Sequence, residues 1–179
     1  MRQRIHIWHL EITNPERKPA GERGYRLERA SNPSPEFARY LYVAVGARWL
    51  WYMRLDWTRQ QWSERFASDD IELRVAFDGA SPIGYFELER QSGGSVEICY
   101  FGLVPEYIGH GYGRELLEDA ISCARELGGS RVWLHTCTLD HGSALANYQA
   151  ARLYRLSRRR RRRRCARFHR TLAGEQALE

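Results

Sequence analysis

Apolar positions along the chain fall into short elements whose period changes more than once. Residues 4–12 alternate loosely through Ile5 and Ile7, with Leu10 and Ile12 beyond, and predict a first strand. Residues 13–34 are polar and rich in Pro, Gly and charge, which reads as a loop. Ser34-Pro35 then supplies a helix cap and first helical residue. Phe37, Tyr40, Leu41, Ala44 and Val45 follow at helical spacing, and Gly46 ends the helix. Thr58 and Gln61 form a capping box, with Trp57 and Trp62 at the hydrophobic staple positions, and predict a second helix to about Ala67. Between these helices lies an aromatic stretch, Trp49, Trp51, Tyr52 and Trp57. It reads as packing between helices or as the wall of a substrate pocket.

The period then becomes two. Ile71, Leu73, Val75 and Phe77 alternate with polar or small residues, and Asp78-Gly79 turns the chain. Ile83 to Glu89 is a second strand behind Pro82, and after Gly93-Gly94 a third runs from Val96 to Val104. Connections this short make an antiparallel meander. Helical spacing returns with Leu116, Leu117, Ala120, Ile121, Ala124 and Leu127. Glu115, Glu118 and Asp119 near the start of this helix and Arg125 near its end suit its dipole, and Gly128-Gly129 stops it. Val132 to Cys137 is a strand that the crossover helix makes parallel to its predecessor. Asp140 is placed to cap a last helix whose inner face carries Ala144, Leu145 and Tyr148.

Length and composition, 179 residues with 43% hydrophobic and 12% aromatic, fit one domain with its own core. The net charge of +6 at first suggests a nucleic-acid binder, but its location changes that. Residues 152–170 hold eleven arginines and no acid, whereas the first 151 residues hold 17 basic and 20 acidic groups. The body of the protein is mildly acidic. No apolar run reaches the roughly 18 residues of a membrane span, and Met1 to Glu11 is too charged for a signal peptide. Cys99, Cys123, Cys137 and Cys165 form no CxxC pair, so they read as buried thiols of a cytoplasmic protein, with no metal site.

The chemistry concentrates in Leu103-Val-Pro-Glu-Tyr-Ile-Gly-His-Gly-Tyr-Gly113, where a strand ends, Pro105 stops pairing, and three glycines lead into a helix. Glycines let backbone N–H groups approach a ligand closely, and the positive end of the helix dipole lies behind them. The G-x-G-x-G spacing after an antiparallel meander is not the G-x-G-x-x-G of a parallel dinucleotide fold, nor a phosphate-binding loop ending in Lys-Ser/Thr.

This stretch resembles the V-x-P-x-x-R/Q-G-x-G-x-G motif of the GNAT superfamily of acetyl-CoA-dependent acyltransferases. His141-x-x-Ala144-x-x-x-Tyr148 resembles its later N-x-x-A-x-x-x-Y motif, and the order of elements is similar over residues 5–155. The resemblance implies an α+β fold of α/β/α layers, with a mixed, mostly antiparallel sheet and about four helices. It implies an N-acetyltransferase that moves the acetyl group of acetyl-CoA, its co-substrate, to an amine by direct attack in a ternary complex. Phe101, Gly102 and Leu103 are expected to pair with the pantetheine arm, and Gly109, His110, Gly111, Tyr112, Gly113 and Arg114 to cradle the pyrophosphate. His141 is expected to bond the cofactor or to cap the last helix. Ile108 stands where the family has Arg or Gln. Tyr148 is expected to be the acid for the leaving thiolate, and a backbone N–H near Leu103 to stabilise the oxyanion. Glu97 is the first candidate for the base, with Glu87, Glu89 and His135 behind it. The ordinary alternative for each glutamate is a solvated strand charge.

The resemblance weakens after Tyr148, where the family reads Y-x-x-x-G-F and this chain has Arg152-Leu153, then seven arginines, 158 to 164. Residues 1–156 are read as the GNAT domain and 157–179 as an Arg-rich segment, either disordered or a distorted final hairpin. The segment has three readings: a solvated tail, a nucleic-acid or acidic-partner arm, or an out-of-frame translation from about residue 151. The resemblance implies a small-molecule or peptide amine as acceptor, and an exposed sheet edge would invite a homodimer. The alternative function is a CoA-binding module without transfer, or one whose basic tail holds nucleic acid.

Overall fold

A computed structural model describes residues 2–15 and 23–164. Strand β1 (Arg2–Thr13) precedes β2 (Arg26–Arg29), helix α1 (Pro35–Gly46) and helix α2 (Arg59–Phe66). Strands β3 (Ile71–Asp78), β4 (Ser81–Gln91) and β5 (Ser95–Leu103) follow, then helix α3 (Tyr112–Glu126), β6 (Arg131–Cys137), helix α4 (Ala144–Ala150) and β7 (Tyr154–Arg164). Among the described residues the strands form one mixed sheet in the order β2-β3-β4-β5-β6-β1-β7, in which only β5 and β6 pair in parallel. The expected α+β architecture with four helices is the one observed among the described residues.

Two apolar layers explain the sandwich. On one face Ile83, Phe86, Ile98, Val132 and Leu134 pack under Leu116, Leu117, Ala120 and Ala124 of α3. On the other, Leu73, Val75 and Tyr85 meet Leu41 and Val45 of α1. Both faces of central β4 are covered, so residues 83–88 are all buried. Local signals start the helices where expected: Ser34 accepts from the Phe37 N–H, and Thr58 and Gln61 close their capping box. The Trp57 and Trp62 rings meet at 5.1 Å as the staple.

Three expectations are corrected. The loop expected over 13–34 contains β2, a short polar strand added to the edge of β3 in register Arg26↔Phe77 to Arg29↔Arg74. The inner face of α1 is Ala38, Leu41, Tyr42 and Val45, and Tyr40 points outward at 50% exposure. Asp140 does not cap α4: its Oδ2 accepts from the Thr136 hydroxyl at 2.5 Å and the Cys137 N–H at 2.8 Å, and Ser143 stands at the helix start.

The arginines 158–164 lie in β7, whose backbone pairs with β1 from Glu11↔Tyr154 to Arg2↔Arg164. Cys165, Arg167, Arg170 and residues 16–22 of the expected loop lie outside the described residues.

Candidate active site

The site arises where the sheet comes apart. β5 and β6 share only three residue pairs, Ser95↔Arg131, Val96↔Val132 and Glu97↔Trp133. In the β4–β5 ladder Glu87 opposes Tyr100 and Leu88 opposes Ile98, so Cys99 is an inserted bulge residue. A bulge bends its strand. Beyond it β5 follows β4, while β6 follows β1 along Ile7↔Cys137 to Thr13↔Arg131. The wedge between them holds a cavity of about 520 Å³.

One edge of this wedge is β5 backbone. Val104 donates its N–H to the Ile83 carbonyl at 2.8 Å, so ladder alternation turns the backbone groups of Leu103 and Phe101 toward the wedge and those of Gly102 toward β4. Gly102 serves packing as well: a Cβ there would lie 2.6 Å from Val45 of α1.

The glycine turn closes one end. Gly109 and Gly111 have φ of 94° and 88°, in the left-handed region, and a Cβ on either would meet no atom within 4 Å. Gly111 is the N-cap of α3 and offers no side-chain hydrogen bond. The Arg114 N–H donates to the Gly111 carbonyl at 3.2 Å, and no side chain caps the earlier N–H groups of this 15-residue helix, which have the positive dipole end behind them, a geometry that suits a phosphate anion. Gly109, Gly111, Gly113 and Arg114 line the cavity, whereas His110 and Tyr112 are not among its lining residues. His110 is exposed and stacks on Tyr112, which packs edge-on against Tyr25. Arg114 is exposed, with Glu118 at 3.6 Å.

Tyr148 reaches the cavity from α4, 8% exposed and edge-on to Phe101 at 6.1 Å. Burial, with the nearby Asp140 charge adding to it, raises its pKa above the ordinary 10.0, so the hydroxyl keeps its proton. The end of α4 fixes this tyrosine. Leu153 donates its N–H to the Tyr148 carbonyl and Arg152 to that of Gln149, the paired bonds of a Schellman motif. Arg152 therefore occupies the left-handed position, φ 65°, that glycine usually takes; α3 ends with Gly128 at φ 87°. Leu153 is fully buried in the same cluster as Tyr148. His141 lines the cavity, accepts from the Ser143 N–H at 3.1 Å and meets the Trp49 ring edge-on at 5.3 Å.

The four candidate bases separate. Glu97 is not a lining residue. It accepts from Gln91 at 3.0 Å, and its Oε1 lies 3.4 Å from Nδ1 of His135, which does line the cavity. Glu87 is not a solvated strand charge: at 1% exposure it takes two hydrogen bonds from Arg54, at 2.7 and 2.8 Å, and two more from Arg65. Glu89 pairs with Arg65 at 2.7 Å. Burial works against the Arg54 charge, but the hydrogen bonds and field of Glu87 outweigh it, so the guanidinium is held more firmly protonated than usual. Sequence reasoning missed this cluster because nothing local ties Arg54 to a residue 33 positions away. The aromatic stretch divides between core and cavity. Trp57 packs in the core beside Trp62, while Trp49, Trp51 and Tyr52 line the cavity.

A sequence profile of the Acetyltransferase (GNAT) family matches residues 26–156. No curated protein matches the chain. Solved structures of similar fold include a GCN5-related N-acetyltransferase from Sphaerobacter thermophilus, 21% identical with a TM-score of 0.64, the match covering 88% of this chain and 51% of that one. An acetyltransferase from Bacillus subtilis in complex with CoA is 22% identical, TM-score 0.52, over 71% and 74% of the two chains. The ribosomal-protein-S18-alanine N-acetyltransferase from Escherichia coli is 13% identical, TM-score 0.55, over 70% and 75%. The chain spans about half the length of the Sphaerobacter protein. With the family's sequence pattern matched from Arg26 through Leu156, across the split sheet, the glycine turn and the helix that carries Tyr148, the chain belongs to the GNAT acetyltransferase family.

Proposed function

We propose that the protein transfers the acetyl group of acetyl-CoA to the nitrogen of an amine by direct attack within a ternary complex. The observation that carries this reading is the wedge itself. A strand edge left unpaired at Phe101 and Leu103 leads into a helix start at Gly111 with no side-chain cap, and the Tyr148 side chain lines the same cavity. The strand edge takes the amide groups of the pantetheine arm as a further strand would, and the N–H groups around Gly109 to Gly113 take the pyrophosphate. Arg114 adds charge at that end.

A free alkyl amine has a pKa of ~10.4 and attacks only after losing a proton. His135, which lines the cavity, accepts that proton directly or through water, and Glu97 positions it from 3.4 Å. Attack places negative charge on the thioester oxygen, where the backbone N–H of Leu103 is available. As the C–S bond breaks, Tyr148 donates a hydrogen bond to the sulfur. Full proton transfer from a phenol held above 10.0 to a thiolate of pKa ~8.5 runs uphill. The hydroxyl therefore stabilises the leaving charge, and the thiolate takes its proton from the nitrogen that has become acidic on acylation.

Calorimetric titration with CoA, followed by thiol release from acetyl-CoA across an amine panel, tests the proposal. Tyr148→Phe removes this charge-stabilising donor and is expected to lower kcat ~10²-fold with CoA affinity unchanged. A chain that does not bind CoA refutes the reading.

A further inference from the structure

We infer that the acceptor is an arylalkylamine, a primary amine on a short stem attached to an aromatic ring. This rests on the transfer reading above and concerns the end of the cavity away from the glycine turn.

That end is formed by the chain between α1 and α2. Leu50, Tyr52 and Met53 line it while remaining 37%, 36% and 49% exposed. They are large apolar groups held at a cavity mouth, outside the core, so folding alone does not account for their chemistry. The wall behind them is rigid. Trp51 lies against Gly46, where a Cβ would be 2.3 Å from the indole, and its ring meets Tyr100 at 5.0 Å. The Arg54 guanidinium sits 4.3 Å from the Tyr100 ring centre. Trp49 and His141 close the roof.

Charge is as informative as shape. Among the described residues that line the cavity, Arg114 and Asp140 are the carriers of formal charge. Arg114 belongs to the glycine-turn end, and Asp140 Oδ2 already accepts from Thr136 and Cys137. The charges beneath the wall, buried Arg54 and Glu87 and partly buried Arg65 and Glu89, pair with one another. A polyamine or aminoglycoside would bring further ammonium groups to this mouth without carboxylates to meet them, and a free amino acid would bring a carboxylate without a cation. Stripping water from such unpaired charges is unfavourable. An aromatic ring instead finds aromatic and thioether surface. The same apolar surroundings disfavour the charged amine and favour loss of its proton to a base no stronger than histidine.

The test uses the full chain. CoA affinity is measured first, without acceptor. Acetylation of phenethylamine and tryptamine is then compared with that of spermidine, lysine and an aminoglycoside. We expect kcat/KM at least ~100-fold higher for the aryl amines. Met53→Glu, at an exposed position that tolerates charge, should lower kcat/KM for phenethylamine ~10-fold or more, raise it for spermidine, and leave CoA affinity unchanged. CoA binding with equal or better turnover of the polyamine, amino acid or aminoglycoside overturns this inference but leaves acetyl transfer standing. CoA binding without turnover of either aryl amine overturns it too, as does a preference that Met53→Glu does not shift. Absence of CoA binding removes the transfer reading and this inference with it.

Discussion

Replacing Glu87 by alanine should be among the most damaging single changes in this protein, and the reason can be worked out group by group. Glu87 is 1% exposed and Arg54 6%. Truncating Glu87 leaves Arg65 with Glu89 at 2.7 Å, but removes both carboxylate hydrogen bonds of Arg54. The Arg54 guanidinium then keeps its ring contacts with Trp57 at 4.5 Å, Tyr100 at 4.3 Å and Trp62 at 5.7 Å, none of which carries a negative charge. Leaving a buried charge without its partner costs about 3–5 kcal/mol. For a domain of this size that corresponds to a Tm lower by about 6–20 °C. Glu87→Gln keeps the shape and part of the hydrogen bonding, and should cost about 1.5–3 kcal/mol. The double change Arg54→Met with Glu87→Leu removes both desolvation penalties and should lie within about 1 kcal/mol of the parent. Urea unfolding monitored by tryptophan fluorescence ranks the three. If the double variant is as unstable as Glu87→Ala, the attraction of the pair and not the stranded charge dominates, and the argument fails.

Arg152→Gly should stabilise the protein by about 1 kcal/mol, because φ 65° strains arginine and not glycine, so a thermal melt should rise by about 2–4 °C; an unchanged or lower Tm contradicts the Schellman assignment. Gly111→Ala meets no atom but is forced to hold φ 88°, so we expect a loss of about 1–2 kcal/mol in stability and CoA binding at least ~10-fold weaker by calorimetry. Equal affinity would remove Gly111 from the cradle. Because burial and then the Asp140 charge raise the Tyr148 pKa, its donating form persists through and beyond pH 10, and kcat should show no alkaline decline below pH 10 that Tyr148→Phe abolishes. Such a decline would mean that the hydroxyl ionises normally.

The parts of the fold that were legible in the sequence are those written in neighbouring residues. Thr58 with Gln61, Asp78-Gly79 and the Gly109–Gly113 turn each state their geometry within a few positions. What was not legible depends on distant partners. Arg26–Arg29 has no apolar alternation and becomes a strand only because the edge of β3 offers it a ladder. Glu87 looks like any charge on a half-buried strand until the α1–α2 connection folds back and brings Arg54 to it. Asp140 has the sequence of a cap but is drawn to Thr136 and Cys137, one turn earlier. At the site, the glycine turn and Tyr148 could be read directly, whereas the removal of Glu97 from the cavity wall behind His135 depends on where the sheet splits.

That split gives the molecule a mechanical character. The sheet is two stiff plates, β2-β3-β4-β5 and β6-β1-β7, joined by a seam of three residue pairs and splinted by α3, whose apolar face touches both. A ligand that bonds to the edge of β5 and fills the cavity up to Leu134–Cys137 of β6 would brace the open part of the seam. Saturating cosubstrate should therefore slow amide hydrogen exchange not only around Gly111 but along Ile98–Leu103 and Leu134–Cys137, where the plates are free to part.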